Sequence, residues 1–325
     1  GALPALRGIS EDQPDHVGYN AAISGLNLNF NRVHFEWKRA GSDWQVAVDA
    51  RGERFLPAVD MVRVAIAARE APLFTYDAGV VEEWTVASAA LGKGGSRWLP
   101  VRDPGRYVAE VFRTLARAQG IRLEVAERAK TVPSGAELGR VTSEPLPEVL
   151  RDMLRFSTNL TAESVGLTAS GAGNLQASAA AMSDWVRSTF GVEVTLRDHS
   201  GLGGASRITA AGMAQILVAA ENAKRGLKPI LRSVGMKDDK GAVIEGHPVK
   251  VLAKSGTLNF VSALAGHIVP PNGRELVFAI FSGDPDRRDA VPVALREDPE
   301  GAGAWNKRAR RLQGQLISRW AGSYA

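Results

Sequence analysis

The chain has 325 residues, room for two domains of ordinary size. Its 40 Lys and Arg stand against 35 Asp and Glu, a net charge of +5 that is compatible with anionic partners but does not by itself point to nucleic acid. The absence of cysteine excludes thiol catalysis, disulfides and cysteine-based metal sites, and no apolar run reaches the roughly 18 residues that a membrane span needs.

The chain opens Gly1-Ala2-Leu3-Pro4, without Met or a signal peptide, and reads as a mature product or a fragment. Residues up to about Asp15 are irregular and polar. Leu26, Leu28 and Phe30 alternate with asparagines in strand fashion, and the parity then shifts to Val33, Phe35 and Trp37, which predicts a bulge or bend. Ala40-Gly41-Ser42-Asp43 is a turn, and Trp44, Val46 and Val48 complete a β-hairpin with one apolar face. Trp84 and Val86 mark another short strand, and Gly92 to Gly95 a flexible break. Asp103-Pro104 opens a helix, with Asp as N-cap and Pro at the first helical position. Tyr107, Val108, Val111, Phe112 and Leu115 supply its apolar face, and Gly120 ends it. Ile121, Leu123 and Val125 are expected as a strand. The polar stretch from Lys130 to Pro147 carries a domain change, dividing the chain into residues 1–140 and 141–325.

The second part begins with a helix from Pro147 to about Phe156, with Val149, Leu150 and Met153 inward. Ser157-Thr158-Asn159 follows, and a further helix is predicted from Leu160 to Leu167. After the loop Ser170-Gly171-Ala172-Gly173 comes a helix from about Leu175 to Phe190, stopped by Gly191. Val192, Val194 and Leu196 alternate as a strand, and Asp198 to Gly204 form a tight glycine-rich turn. Thr209 caps a helix carrying Met213, Ile216 and Leu217. Three strands follow, Lys250 to Leu258, Ser262 to Val269 and Leu276 to Ser282, the last two joined by Pro270-Pro271-Asn272-Gly273. Trp305, Ala309, Leu312, Leu316 and Trp320 recur at helical spacing, and with Lys307, Arg308, Arg310 and Arg311 they predict an amphipathic terminal helix with a solvated basic face.

Chemistry concentrates in two short segments. Lys254-Ser255-Gly256-Thr257-Leu258 sets an amine, a hydroxyl and a glycine on an apolar strand. A buried lysine is costly unless it meets an anion. Ser255 can donate to a carboxylate, Gly256 lets another backbone approach, and the N–H of Thr257 can point at a carbonyl oxygen. The plainer reading is a lysine snorkelling from a strand end beside a turn glycine. In Ser157-Thr158-Asn159 a hydroxyl and an amide can face one cleft, or simply terminate a helix.

Order and context join the two. Ser-x-Asn between two helices, then Lys-Ser-Gly on the first of three strands before a C-terminal helix, resembles the transpeptidase-like fold of the serine DD-peptidases. The resemblance is strongest to the D-alanyl-D-alanine carboxypeptidase/endopeptidase family of penicillin-binding protein 4 type (peptidase family S13). Leu154 to Glu163 looks like its second-motif segment, and Arg197-Asp198-His199-Ser200-Gly201-Leu202 like its Asp-Gly-Ser-Gly-Leu loop with His199 for Gly. Lys254-Ser255-Gly256-Thr257-Leu258 looks like its Lys-Thr-Gly-Ser-Leu. The family's first motif, Ser-x-x-Lys, occurs nowhere among the 325 residues. The resemblance implies an α+β, β-lactamase-like catalytic domain with an antiparallel sheet and flanking helices, lacking its N-terminal segment, plus a β-rich accessory domain belonging to the family's insertion.

By that resemblance Ser157, Asn159 and Lys254 are catalytic, and Ser255, Gly256, Thr257 and Asp198 bind substrate. The implied partners are peptidoglycan stem peptides, β-lactams and the missing Ser-x-x-Lys segment, in an exported, periplasmic protein. A non-catalytic peptidoglycan-binding or scaffold relative is the alternative, and a β-lactamase a third. No cofactor is implied. Asp198-His199-Ser200 cannot form a triad between adjacent residues, and the remaining histidines lack paired metal-ligand spacing.

Overall fold

The computed structural model describes residues 3, 5–125, 129, 135–223, 226–237, 242–271 and 273–324. The chain forms two compact units, one of Gly1–Thr142 with Glu163–Thr168, the other of Ser143–Ala162 with Ala169–Ala325. Part of the polar stretch in which the domain change is expected, residues 130–134, lies outside the described residues, as does Asn272.

In the first unit, β1 (Arg32–Ala40) pairs antiparallel with β2 (Asp43–Asp49) across the Gly41 turn. β3 (Val62–Ala67), β4 (Phe74–Asp77) and β5 (Glu82–Ala87) form a second sheet in the order β3-β5-β4, with β3 and β5 parallel. β6 (Gly94–Pro100) returns to pair with the other edge of β1. Val33, Phe35, Trp84 and Val86, of the alternation read from the sequence, pack with Val64 and Leu99 into one core. Helix α1 (Pro104–Ala118) adds Tyr107 and Val111 to that core. Buried Glu82 accepts the backbone N–H groups of Arg102 and Asp103, and Asp103 caps the helix by accepting from the Arg106 amide at 3.2 Å.

Three expectations fail here, each for a local reason. Leu26 to Phe30 is not a strand. Asn29, Phe30 and Asn31 all take left-handed φ near +50°, so the asparagines act as turn formers and the parity shift marks a left-handed turn, with β1 starting at Arg32. Gly94 and Gly95 are not a break but the first residues of β6. A Cβ on Gly95 would sit 2.8 Å from the Trp37 ring, so the glycine admits the indole. Among the described residues Ile121 to Val125 has no strand partner, and Val125 is 75% exposed. On α1 itself Phe112 points outward.

In the second unit, α2 (Leu146–Phe156) is followed after two residues by α3 (Asn159–Ser170), of which Glu163–Thr168 are assigned to the first unit. α4 (Leu175–Phe190) ends at Gly191, which has φ +64°. β7 (Val194–Thr195) and β8 (Arg207–Ile208) form a small ribbon, shorter than the strand expected from Val192 to Leu196. α5 (Ala210–Asn222) is capped by Thr209, whose hydroxyl accepts from the Gly212 amide at 3.0 Å. The main sheet has the order β12-β11-β10-β9, all antiparallel, built from β9 (Arg232–Ser233), β10 (Lys250–Leu258), β11 (Val261–Val269) and β12 (Leu276–Gly283). After α6 (Pro285–Asp289), α7 (Ala302–Tyr324) closes the chain. Ile317 and Ala321 of α7 pack with Val251, Ala253, Leu264, Ile268, Phe278 and Ile280 of the sheet. α5 packs on β11 and β12.

Candidate active site

β10 is the keystone of the site. It lies between β11 and β9, but β9 is only two residues long and pairs through Arg232 opposite Ala253 and Ser233 opposite Leu252. From Lys254 to Leu258 only the β11 edge is paired among the described strands, with Ser255 opposite Leu264, Gly256 opposite Ala263 and Thr257 opposite Ser262. Lys254-Ser255-Gly256-Thr257 therefore begins where the pairing with β9 ends. A Cβ at Gly256 would meet the Ala263 Cβ at 3.6 Å, an ordinary contact. Internal packing thus does not demand glycine there.

α2 brings the second motif to the β9 side of β10. The helix packs on β9 and on the 3-10 turn Lys228–Ile230. It terminates at Ser157, which takes left-handed φ +54° and ψ +49°. That conformation is costly for a side chain with a Cβ and turns the chain sharply before Asn159 opens α3. It delivers the Ser157 hydroxyl to within 2.7 Å of Lys254 Nζ, across 97 positions of sequence. Lys254 also donates to the Ser255 carbonyl. Burial is the main cause holding the Lys254 ammonium below the usual lysine range, and Arg232 nearby lowers it further. An amine that releases its proton more readily, bonded to a hydroxyl, is a proton relay in form.

The structure thus brings Ser157 and Lys254 into direct contact and places Asn159 two residues from Ser157, half-buried at the start of α3. Ser255 is half-buried, and Gly256 and Thr257 are exposed. Asp198 is turned toward its own loop. It is 3% exposed, and its carboxylate accepts the amides of Gly201 (2.5 Å), Leu202 (3.1 Å) and Gly203 (2.6 Å) and the Ser200 hydroxyl (3.2 Å). It folds its own loop. His199, where the family resemblance has glycine, pins that loop to α4, with Nε2 2.7 Å from the Ser178 hydroxyl and Nδ1 3.2 Å from the Met182 sulfur. Burial lowers its pKa, and Asp198 partly offsets this.

Three contributors escape the sequence reading. Arg232 reaches Lys254 only through strand pairing, so no local pattern marks it. Asn306 donates to the Leu258 carbonyl at 3.0 Å, and Gln313 to the Ser262 hydroxyl at 3.1 Å, tying the end of β10 and the start of β11 to α7. Their signal was present: both fall on the inward stripe of α7 with Ala302, Ala309, Ile317 and Ala321. Among the described residues no cluster of His, Asp or Glu could hold a metal ion, and no helix is long and apolar enough to cross a membrane.

Residues 9–297 match the D-Ala-D-Ala carboxypeptidase 3 (S13) family. Carboxypeptidase DacB of Mycolicibacterium smegmatis is 29% identical over 294 residues, covering 80% of this chain and 62% of the relative. The D-alanyl-D-alanine carboxypeptidase of an Actinomadura species is 28% identical over 236 residues, covering 62% and 43%. A carboxypeptidase of Mycobacterium tuberculosis is 30% identical over 234 residues, covering 66% and 48%. The chain thus spans between about two fifths and three fifths of the length of these relatives. Among solved structures, penicillin binding protein 4 of Haemophilus influenzae shares the fold with a TM-score of 0.66 at 19% identity, over 97% of this chain and 72% of that one. With the family match extending across most of its length, the chain belongs to the D-Ala-D-Ala carboxypeptidase 3 (S13) family.

Proposed function

We propose that this chain carries the substrate-binding side of a serine-type D-Ala-D-Ala carboxypeptidase/endopeptidase that acts on peptidoglycan stem peptides through an acyl-enzyme, in an exported, periplasmic protein. The observation that carries this reading is the 2.7 Å bond from Lys254 to Ser157 at the edge of β10. On this reading residues 141–325 are the transpeptidase-like domain, and residues 1–140 are part of the family's insertion.

The attacking serine and its lysine base come from a Ser-x-x-Lys pair outside these 325 residues, since none lies within them. The serine oxygen adds to the D-Ala-D-Ala carbonyl and gives its proton to that lysine. The Thr257 N–H, with that of the attacking serine, receives the developing oxyanion. Lys254 and Ser255 hold the terminal carboxylate, Gly256 lets the peptide lie along β10, and Asn159 holds the substrate amide. As the carbon–nitrogen bond breaks, Ser157 passes a proton from the Lys254 side to the departing D-alanine amine. Water then hydrolyses the ester and restores the serine. Asp198 acts indirectly, by ordering its loop. β-Lactams acylate the same serine. The H. influenzae protein of this fold has been solved with a β-lactam bound.

Labelling with a fluorescent penicillin tests the assignment. The full-length protein is expected to be labelled, Lys254→Ala to lose labelling, and the 325-residue chain alone to stay unlabelled. Labelling of Lys254→Ala at the parent rate, or a labelled serine within residues 1–325, would overturn it.

A further inference from the structure

α7 carries the whole net charge of the chain. Between Ala302 and Tyr324 there are five basic residues, Lys307, Arg308, Arg310, Arg311 and Arg319, and no Asp or Glu. Setting these five aside leaves 35 Lys and Arg against 35 Asp and Glu elsewhere. At about 100° and 1.5 Å per residue, Lys307, Arg308, Arg311 and Arg319 fall within an arc of roughly 120° and a length of about 18 Å. That arc faces away from the buried row of Ala302, Asn306, Ala309, Gln313, Ile317 and Ala321. All four are exposed, and among the described residues none forms an ion pair.

Helix stability does not explain the placement. Four of the five charges lie in the N-terminal half, away from the C-terminal turn where the helix dipole would favour cations. Lys307 and Arg311, one turn apart, repel each other, and no glutamate is present to offset them. Uncompensated like charge held on one exposed face matches an anionic partner. The chemistry of the face selects among such partners. The outward positions within that arc are Ala304, Gln315, Ser318 and Gly322, and Leu312, just beyond its edge, is the exposed large apolar side chain beside it. A helix lying in a membrane surface needs a broad apolar face, and that of α7 is already spent on the sheet. Arginine forks match phosphate oxygens in pairs. We propose that the outer face of α7 binds a linear phosphate-bearing polyanion, independently of the cleft at β10.

The test titrates this chain with long-chain inorganic polyphosphate over a range of salt. Binding is expected to weaken linearly in log salt, with a slope set by roughly three to four released counterions. K307Q/R308Q/R311Q/R319Q is expected to bind at least tenfold more weakly with unchanged melting. A charge-matched control on exposed residues of the first unit, K38Q/R54Q/R63Q/K93Q, stays within about threefold of the parent. Should the quadruple α7 variant misfold, R311Q alone is expected to reduce the salt slope by about one unit. Equal loss in both quadruple variants would assign the effect to net charge and overturn the proposal. So would retained binding in both, or binding of the parent to phosphatidylglycerol vesicles but not to polyphosphate.

Discussion

Replacing Asp198 by Ala distinguishes a loop-organising carboxylate from a substrate ligand. The side chain is 3% exposed and accepts three backbone amides and one hydroxyl. Its removal leaves the buried Leu202 N–H and the half-buried Gly203 N–H without their acceptor, while the exposed Gly201 N–H and the Ser200 hydroxyl can turn to water. At roughly 1–3 kcal/mol for each buried donor left unpaired, Asp198→Ala is expected to cost about 2–5 kcal/mol. Asp198→Asn keeps one acceptor but turns an NH2 toward the other amides, and is expected to cost about half as much. Urea denaturation of the chain measures the loss, and hydrogen exchange at residues 201–203 locates it. If Asp198→Ala unfolds within about 0.5 kcal/mol of the parent and those amides exchange no faster, the loop-organising role is wrong. A residue serving only substrate would instead leave stability intact and raise KM in the full-length protein.

Gly266→Ala would place a Cβ 2.1 Å from the Leu252 carbonyl oxygen, which is backbone and cannot swing aside. The expected loss is at least the 1–3 kcal/mol typical of overpacking, with faster exchange along β10, and normal stability would refute the pairing of Gly266 with Ala253. Ser157→Gly removes the penalty of a left-handed serine, so stability is expected to hold or rise by about 1 kcal/mol in a denaturant titration. Penicillin acylation of the full-length protein should fall at the same time, because the Lys254 partner is gone. His267 is 1% exposed, faces Glu221, Lys228 and Glu275, and among the described residues has no hydrogen-bond partner at Nε2. Burial lowers its pKa below 6.5, so the unfolded chain binds the proton more readily, and this contribution to stability is full above about pH 6.5 and lost as pH falls below it. His199 acts in the same direction. His267→Leu is therefore expected to flatten the decline of urea midpoints between pH 7 and pH 5, and an unchanged slope would exclude His267 as a contributor.

Much of the fold was legible because local chemistry agreed with it. Asp103 and Thr209 both cap their helices with the bonds their side chains promise. Gly191 stops α4 in the left-handed conformation that favours glycine. The three long strands fall within a residue of their expected limits. Failures cluster where one residue type serves two ends. Asparagine-interleaved leucines at 26–30 satisfy a strand pattern and a left-handed turn equally, and only the start of β1 at Arg32 separates them. Ile121, Leu123 and Val125 alternate perfectly, but alternation forms a strand only when a neighbour offers its edge.

The sequence by itself determined the class of chemistry. A cation, a hydroxyl and a glycine on a strand, with Ser-x-Asn upstream and no Ser-x-x-Lys, are properties of residue type and order, and they led to the family. Only the tertiary structure decided how these residues are used. The pairing of β9 stops at Ala253, next to Lys254, the left-handed turn at Ser157 spans 97 positions to meet that lysine, and Arg232 arrives beside it across the sheet. The Asp198 carboxylate, indistinguishable in sequence from a ligand, is consumed by its own loop. Such outcomes depend on which backbone groups are left unpaired after folding, and a linear pattern carries no record of that.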